Sequence, residues 1–159
     1  MSRSLVAAVA ALALAAPAAA QDDKYVKLVH PDTGRVLAVE DDSEEAEAWA
    51  VLAKDEDKEA RQWKLVKDGD YLKLVNRKSG KVLDVFQDSK ESGTKIIIWF
   101  DKPEENDNQR WQWVGDGKAR RLKSKSSGLV LDIEAGKVVQ RKPDDKAKSQ
   151  LWEVVEVKK

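Results

Sequence analysis

The 159-residue chain balances 29 lysine and arginine side chains against 29 aspartate and glutamate side chains, and it contains no cysteine. Because the charges balance and no basic stripe stands out, the composition argues against a nucleic-acid partner. Without cysteine there are neither disulfides nor thiolate metal ligands, so the apolar core must supply the stability.

The first twenty residues have the features of a cleavable signal peptide. Arg3 provides a positive charge, an apolar run extends from Leu5 to Ala16, and three alanines end the segment. This order is typical of secretion signals, and the apolar run is too short to span a bilayer. We therefore predict a signal peptide at 1–20 and one domain at 21–159, with a secreted or periplasmic location and no membrane insertion after cleavage. The alternative is a retained membrane anchor.

After this leader, one pattern of roughly 40 residues recurs three times, the sign of a repeat architecture. Each copy opens on an apolar strand, passes through a turn glycine and a second apolar strand, and closes on a tryptophan. The openings are YVKLVHPDTGRVLAV, YLKLVNRKSGKVLDV and RLKSKSSGLVLDI, and the closing residues are Trp63, Trp111 and Trp152. The repeats span about 24–69, 70–117 and 118–159.

Four short segments in each repeat have strand character, so the chain is predicted to be all-β with about twelve strands. Twelve short strands need closure to hide their edges, and a threefold repeat fits a β-trefoil of three four-stranded units rather than a sandwich. The predicted strands are 25–29, 36–39, 48–52 and 62–66, then 71–75, 82–85, 96–100 and 111–114, then 120–123, 130–133, 137–141 and 151–155. The segment from Asp41 to Arg61 is rich in helix formers, but the repeat register predicts a strand there with a helical turn before Trp63.

The second strand of each repeat shows a clear alternation. Gly34, Gly80 and Gly128 precede these strands and suit turns that need positive φ. Along each strand the apolar residues flanking the centre share one face, and the central residue faces the other way. That central residue is Ala38, Asp84 or Asp132. Because an unpaired carboxylate is costly to bury, two repeats are expected to direct an aspartate toward solvent.

At the closing strands the chain resembles a known family. Gln109-Arg110-Trp111 and Gln150-Leu151-Trp152 carry a Gln-x-Trp signature, and Arg61-Gln62-Trp63 is a degraded copy. With the Leu-Asp-Val element upstream, these repeats resemble the ricin-type β-trefoil lectin domain over nearly the whole predicted mature chain. The resemblance implies a carbohydrate-binding module with up to one sugar pocket per repeat and no catalysis.

The second repeat holds the full set of residues that the resemblance implies for a sugar pocket. These are an Asp on the Leu-Asp-Val strand, an aromatic on the third strand, and an Asn before the Gln of Gln-x-Trp; here they are Asp84, Trp99, Asn108 and Gln109. The chemistry suits a sugar, because an aromatic ring packs against its C–H face while a carboxylate and an amide bond its hydroxyls.

Strand alternation in IIIWF supports Trp99 as the aromatic of this pocket. If Ile96, Ile98 and Phe100 face the core, Ile97 and Trp99 share the opposite face with Asp84. Ile97 stands where the resembled family usually has a polar residue, often Gln, so we expect one fewer hydrogen bond to the sugar and a different preference.

The other two repeats lack parts of this set. In the first, Ala38 replaces the carboxylate, Ala60 and Arg61 replace Asn and Gln, and Trp49 fits only with a register shift, so no sugar is expected there. In the third, Asp132 and Gln150 are present, but Ser149 replaces the Asn and no aromatic lies between 138 and 142. We predict at most a vestigial site in the third repeat.

Several of these residues also have a purely structural interpretation. Trp63, Trp111 and Trp152 recur with the period of the fold and are expected in the core, with Trp113 as inner packing or barrel edge. Asp84 and Asp132 could hold turns through backbone N–H groups, and Asn108 and Gln109 could cap a turn. His30 precedes Pro31 in an apparent turn, and the acidic run at 41–47 is expected to be a solvated loop.

The function predicted from these residues is a secreted, non-catalytic, lectin-like module that binds glycans, with one sugar site and neither metal nor cofactor. The alternative is a trefoil that binds protein, such as a protease inhibitor, with degenerate sugar sites. An enzyme is disfavoured, because the sequence offers no nucleophile paired to a base. With a single pocket, we expect affinity of roughly millimolar to tens of micromolar.

Overall fold

The computed structural model describes residues 24–158, and its regular structure there consists of twelve β-strands and five short 3-10 turns. The predicted signal peptide lies outside the described residues. The strands are β1 Val26–Val29, β2 Val36–Val39, β3 Ala50–Ala53, β4 Trp63–Asp68, β5 Tyr71–Asn76, β6 Val82–Val85, β7 Ile96–Trp99, β8 Trp111–Val114, β9 Ala119–Ser124, β10 Val130–Glu134, β11 Lys137–Arg141 and β12 Trp152–Glu156. The twelve strands predicted from the sequence are confirmed, with ends that differ by at most two residues.

Six of the strands close into a barrel. All neighbours are antiparallel, and the ring runs from β1 to β4, β5, β8, β9 and β12 and returns to β1. Each repeat contributes its first and fourth strands, so the barrel leaves no free edge at these pairings.

The remaining strands form three hairpins, β2–β3, β6–β7 and β10–β11. They meet one another at equivalent places, where Lys137 pairs with Val51, Trp49 with Ile97, and Lys95 with Val139. This threefold set of bridges carries each hairpin to its neighbour, so residues of one repeat lie beside the outer strand of the next. The architecture is the predicted β-trefoil.

The core contains one tryptophan from each repeat. Trp63, Trp111 and Trp152 are fully buried, as predicted, with Leu28, Leu74 and Leu122 at equivalent places in the barrel strands. The indole Nε1 of Trp63 donates to the Leu37 oxygen at 3.0 Å, and that of Trp111 donates to the Leu83 oxygen at 3.2 Å. These bonds tie the barrel strands to the hairpin strands above them.

The segment at 41–61 follows the repeat register rather than its helix propensity. It contains β3 and a 3-10 turn at Glu59–Arg61, directly before Trp63, as expected. The acidic residues before β3 lie mostly exposed in a loop, as expected. The three turn glycines, Gly34, Gly80 and Gly128, have the predicted positive φ, at 66°, 68° and 72°. Pairing of β3 with β2 satisfies its backbone and overrides the local preference.

The prediction that Phe100 faces the core is wrong. Strand β7 ends at Trp99, so the alternation stops there, and Phe100 is 59% exposed. Its ring lies edge-to-face against Trp99 with centroids 5.7 Å apart. Ile96 and Ile98 are fully buried, as expected.

Trp113 and His30 lie where the sequence placed them. Trp113 is half-buried in β8 and packs against the barrel core. His30 lies in the β1–β2 turn, nearly buried, with its ring edge-on to Trp152 at 5.9 Å.

Candidate functional site

A pocket in the second repeat brings together four of the five residues predicted to bind sugar. Its volume is about 180 Å³, less than the roughly 300 Å³ at which drug-sized sites begin, so it has room for a small ligand only. Asp84, Ile97, Trp99 and Asn108 line the pocket, together with Glu47, Phe86, Gln87, Asp88 and Lys102. Gln109 does not line it.

Strands β6 and β7 position the carboxylate and the aromatic ring. Asp84 pairs across the hairpin with Ile97, and Val82 pairs with Trp99, so the side chains of Asp84, Ile97 and Trp99 emerge on one face. Trp99 is half-buried. An indole that is partly covered and partly accessible beside a carboxylate offers an apolar surface next to a hydrogen-bond acceptor.

The expectation that the aspartates of the second and third repeats face solvent is wrong. Asp84 is 3% exposed and Asp132 is 5% exposed. Asn108 Nδ2 donates to Asp84 Oδ1 at 2.9 Å, and Gln109 Nε2 donates to Asp84 Oδ2 at 2.8 Å. Because both oxygens of Asp84 are paired, burial costs far less than it would for a bare carboxylate.

Asn108 and Gln109 act mainly on Asp84 and on the backbone. Asn108 Nδ2 also donates to the Val85 oxygen at 3.0 Å, and its Oδ1 accepts from Lys102 Nζ at 2.6 Å. Gln109 Nε2 donates to the Phe100 oxygen at 2.8 Å, and its Oε1 accepts from the Lys102 backbone at 3.0 Å. Gln109 is fully buried, so it positions Asp84 without itself reaching the pocket.

The buried position of Asp84 changes its acidity. Desolvation raises the pKa of Asp84 to about 6, against the hydrogen bond from Gln109 and the charge of Lys102, which act in the opposite direction. The carboxyl is therefore mostly ionised at neutral pH and mostly protonated near pH 5. Ionised, each oxygen keeps lone-pair capacity for a hydroxyl donor besides the amide that it already accepts from.

Sequence reasoning missed the rest of the pocket wall. Gln87 and Asp88 come from the β6–β7 loop, and Lys102 follows β7. Glu47 comes from the first repeat, 37 positions before Asp84 in the chain. No local pattern marks these residues, because they reach the pocket through loop geometry and through contact between repeats.

In the first repeat an ion-pair cluster lines the pocket of the corresponding region, whose volume is about 240 Å³. Ala38 takes the place of Asp84, and Arg61 takes that of Gln109: its Nη1 donates to the Lys54 oxygen at 2.6 Å, as Gln109 does to Phe100. Arg61 pairs with Glu56 at 2.9 Å, and Lys58 pairs with Asp42 at 2.9 Å. Trp49 lies four positions before Ala53, the residue equivalent to Trp99, so it does not substitute for Trp99.

In the third repeat an ion-paired arginine takes the place of the aromatic. Arg141 stands where Trp99 stands in the second repeat, and its Nη2 lies 2.7 Å from Glu134 Oε2. Asp132 accepts from Gln150 at 3.0 Å and from the Ile133 backbone N–H at 2.7 Å. Its carboxylate therefore bonds its own strand, which fits the structural interpretation of this aspartate.

Between residues 24 and 158, no group of three or more His, Asp and Glu side chains could hold a metal ion. In that part of the chain, no helix is long and apolar enough to cross a membrane.

The closed six-stranded barrel with its three hairpins defines a β-trefoil, and the pocket on the second hairpin combines polar and aromatic side chains. A family model for the ricin-type beta-trefoil lectin domain-like family matches residues 14–99. The chain belongs to this family, as the resemblance in its Gln-x-Trp repeats predicted. A search of curated protein sequences gave no match.

Solved structures of the same fold include natural and designed proteins. The designed threefold-symmetric protein ThreeFoil is 32% identical, with a TM-score of 0.78 over 84% of this chain and 99% of its own. An exo-beta-1,3-galactanase from Clostridium thermocellum is 34% identical, with a TM-score of 0.78 over 86% of this chain and 31% of its own. The Polyporus squamosus lectin bound to an influenza-binding epitope is 22% identical, with a TM-score of 0.68 over 82% of this chain and 47% of its own, and shares the fold.

Proposed function

We propose that this protein is a non-catalytic carbohydrate-binding protein whose glycan site is the second-repeat pocket. One observation carries the proposal: the accessible indole of Trp99 and the amide-anchored carboxylate of Asp84 line the same pocket of about 180 Å³. A pyranose has an apolar C–H face and a hydroxyl rim, and this pair offers a partner to each.

The roles within the site follow from the contacts. Trp99 is the platform for the ring of the sugar, and Asp84 accepts hydrogen bonds from its hydroxyls. Lys102 retains donor capacity beyond its bond to Asn108. Asn108 and Gln109 are positioning residues, because their amides are already engaged with Asp84 and with backbone oxygens. Ile97, 2% exposed, forms the apolar floor.

The first ligand to test is a galactose-containing glycan. The 34% identical relative is named an exo-beta-1,3-galactanase, and this chain corresponds to about a third of that protein. We therefore propose β-1,3-linked galactan as the leading candidate, with a glycan array to search more widely. One pocket of this size predicts weak binding, roughly millimolar to tens of micromolar for a monosaccharide.

The test compares wild-type protein with Trp99→Ala on a glycan array and by titration with the best ligand. We expect Trp99→Ala to lose at least tenfold in affinity, because the apolar face of the sugar loses its partner. The matched control is Arg141→Ala, which changes the equivalent residue of the third repeat and should leave affinity unchanged. Unchanged binding by Trp99→Ala would contradict the proposed site.

Two further outcomes bear on the class of function. An empty array together with inhibition of a protease would favour a protein-binding trefoil. Hydrolysis of a glycan by the purified protein would contradict the non-catalytic assignment. We also propose that the protein is secreted or periplasmic after removal of residues 1–20, which N-terminal sequencing of exported protein would test.

A further inference from the structure

Glu47 occupies an unusual place, because the first repeat contributes it to the pocket of the second. Its backbone N–H donates to the Ile98 oxygen at 2.9 Å, and the Ile98 N–H donates to the Ala48 oxygen at 3.0 Å. Ile98 lies in β7, next to Trp99. These two bonds fix the backbone of Glu47 against the strand that carries the aromatic platform.

The loop before Glu47 is also held by the second repeat. Lys78 Nζ donates to the Asp42 oxygen at 2.5 Å, and Lys81 Nζ donates to the Glu44 oxygen at 2.7 Å. Both lysines lie in the turn between β5 and β6. Contacts at both ends therefore hold the loop against the repeat that contains the pocket.

Glu47 is placed there in a backbone conformation that glutamate rarely adopts. Its φ is 68°, in the left-handed region, where a Cβ is disfavoured. The second repeat has Gly93 at this position, with φ of 89° and the same bonding pattern, since its N–H donates to the Gln140 oxygen at 2.7 Å. A glycine thus fits this position without strain. The third repeat has Ala135 at this position, with φ of 49°, so two of the three repeats carry a side chain in the left-handed region at this turn.

At this position the Cα–Cβ bond of a side chain points toward the residue equivalent to Trp99. A Cβ added to Gly93 would lie 4.0 Å from Nη1 of Arg141. Arg141 pairs with Val130 as Trp99 pairs with Val82, so the two are threefold equivalents. The threefold equivalence therefore places the Cβ of Glu47 beside Trp99, and both residues line the pocket.

Acidic side chains outnumber basic ones in the lining of this pocket, and Glu47 adds to the excess. Three carboxylates line the pocket, those of Glu47, Asp84 and Asp88, against the single ammonium of Lys102. Asp88 is paired with Lys90 at 2.8 Å. A negative field at the rim repels a ligand carboxylate and attracts a ligand ammonium.

We propose that Glu47 is a specificity-determining residue that makes the second-repeat pocket reject acidic sugars and accept neutral and amino sugars. This inference rests on the proposed glycan-binding function of the same pocket. Of the three equivalent residues, Glu47, Gly93 and Ala135, only Glu47 carries a charge.

The experiment is an NMR titration at pH 7 with galactose, galacturonic acid and galactosamine, and with the three glucose counterparts. Wild type should bind the neutral and amino sugars more tightly than the acid of the same series. In Glu47→Gln, which removes the charge and keeps the size, the neutral-to-acid affinity ratio should fall by roughly threefold to tenfold. Raising NaCl from about 20 to about 300 mM should reduce the ratio more in wild type than in Glu47→Gln, where only Asp84 and Asp88 remain as lining carboxylates.

Two glycine variants separate charge from backbone strain. Glu47→Gly should lower the affinity ratio as Glu47→Gln does, while its unfolding midpoint stays equal or rises. Ala135→Gly is the control: Ala135 also has a left-handed φ, 49°, in the two-residue β10–β11 turn, and does not line the pocket. Ala135→Gly should also leave the unfolding midpoint equal or higher, and it should leave the neutral-to-acid affinity ratio unchanged.

The outcomes distinguish this inference from the function on which it rests. If Trp99→Ala abolishes binding but Glu47→Gln keeps the wild-type ratio, Glu47 sets no specificity and the glycan site stands. A wild type that prefers the acidic sugar also overturns the inference. If wild type binds no sugar in either series and the array is empty, the proposed function is wrong and the inference falls with it.

Discussion

The second repeat and the other two share a scaffold but differ in what lies on it. All three carry a buried tryptophan and an equivalent hairpin. Only the second combines a carboxylate, Asp84, with an aromatic, Trp99, at the two equivalent positions; the pair is Ala38 and Ala53 in the first repeat and Asp132 and Arg141 in the third. The scaffold and the pair of Asp84 and Trp99 are therefore specified by different residues, since the other two repeats keep the fold without this pair.

Ion pairs lie in the corresponding regions of the other two repeats, in different arrangements. In the first repeat Arg61 keeps the backbone bond that a glutamine makes elsewhere and takes Glu56 as its partner. In the third repeat, Arg141 forms an ion pair with Glu134 of the same hairpin. Arg141 is the equivalent of Trp99 in the second repeat, and Glu134 is the equivalent of Phe86. In both repeats an arginine therefore bonds a neighbouring glutamate.

The largest expected effect tests whether the shared scaffold is equivalent in all three repeats. We expect Trp→Phe to lower the free energy of unfolding by about 2 to 4 kcal/mol at Trp63 and Trp111, since each change leaves a smaller side chain and a carbonyl without its donor. Trp152 Nε1 is buried without a partner among the described residues. Trp152→Phe should therefore cost about 1 kcal/mol less. Urea unfolding measures the three values, and equal losses would contradict a contribution from the indole bonds.

The second prediction concerns stability and the aspartate that distinguishes the pocket. The folded pKa of Asp84, about 6, lies above the ordinary value of 3.8. Between these values the folded state binds a proton that the unfolded state does not, so this group makes the protein more stable as pH falls from 7 toward 4. The contribution is at most about 3 kcal/mol, from roughly two pKa units at about 1.4 kcal/mol each.

Comparison with Asp84→Asn isolates this contribution, because the variant lacks the titration. The free energy of unfolding should rise from pH 7.5 to 4.5 in wild type relative to the variant. The hydrogen bond from Lys58 lowers the pKa of Asp42, so the ionised form of Asp42 stabilises the folded protein until the pH becomes more acidic. The pH range of the experiment ends at 4.5 so that this second effect stays outside it. Parallel pH profiles for the two proteins would show that Asp84 does not titrate in this range.

Glycan binding should change with pH in the opposite direction. Protonation of Asp84 removes an acceptor for a sugar hydroxyl, so affinity should fall as pH drops below 6, by roughly tenfold between pH 7 and pH 5. The charge of Lys102 lowers the pKa of Asp84 and the charge of Asp88 raises it, and Glu47 lines the same pocket. Titration of the best array ligand across this range, with the fold monitored by circular dichroism, makes the measurement. Affinity that is constant down to pH 5 would mean that the ionised form of Asp84 is not required.

The smallest effect is expected from an attempt to restore a third-repeat pocket. Asp132 and Gln150 are already bonded at 3.0 Å, so Arg141→Trp with Ser149→Asn supplies the missing aromatic and amide. We expect binding stoichiometry to rise from one toward two, with the new site weaker, because the two-residue turn after Glu134 provides no counterpart to Gln87 and Asp88. Stoichiometry that remains at one would show that the loop wall is indispensable.

Much of this protein could be predicted from the sequence because the governing patterns are local. The spacing of Trp63, Trp111 and Trp152, the turn glycines and the alternation in β6 and β7 identify the trefoil and its core. Strand alternation and the Gln-x-Trp resemblance also predicted that Asp84, Trp99 and Asn108 lie close together, as they do in the pocket. Side chains two positions apart in a strand share a face whatever lies around them.

Only the tertiary structure decided how these groups are used. It buried Asp84 under the amides of Asn108 and Gln109 and raised its pKa to about 6. It also exposed Phe100 where β7 ends and brought Glu47 from another repeat to the pocket. These outcomes depend on contacts between segments distant in the chain, where burial and charge are set by whichever groups the closed barrel brings together.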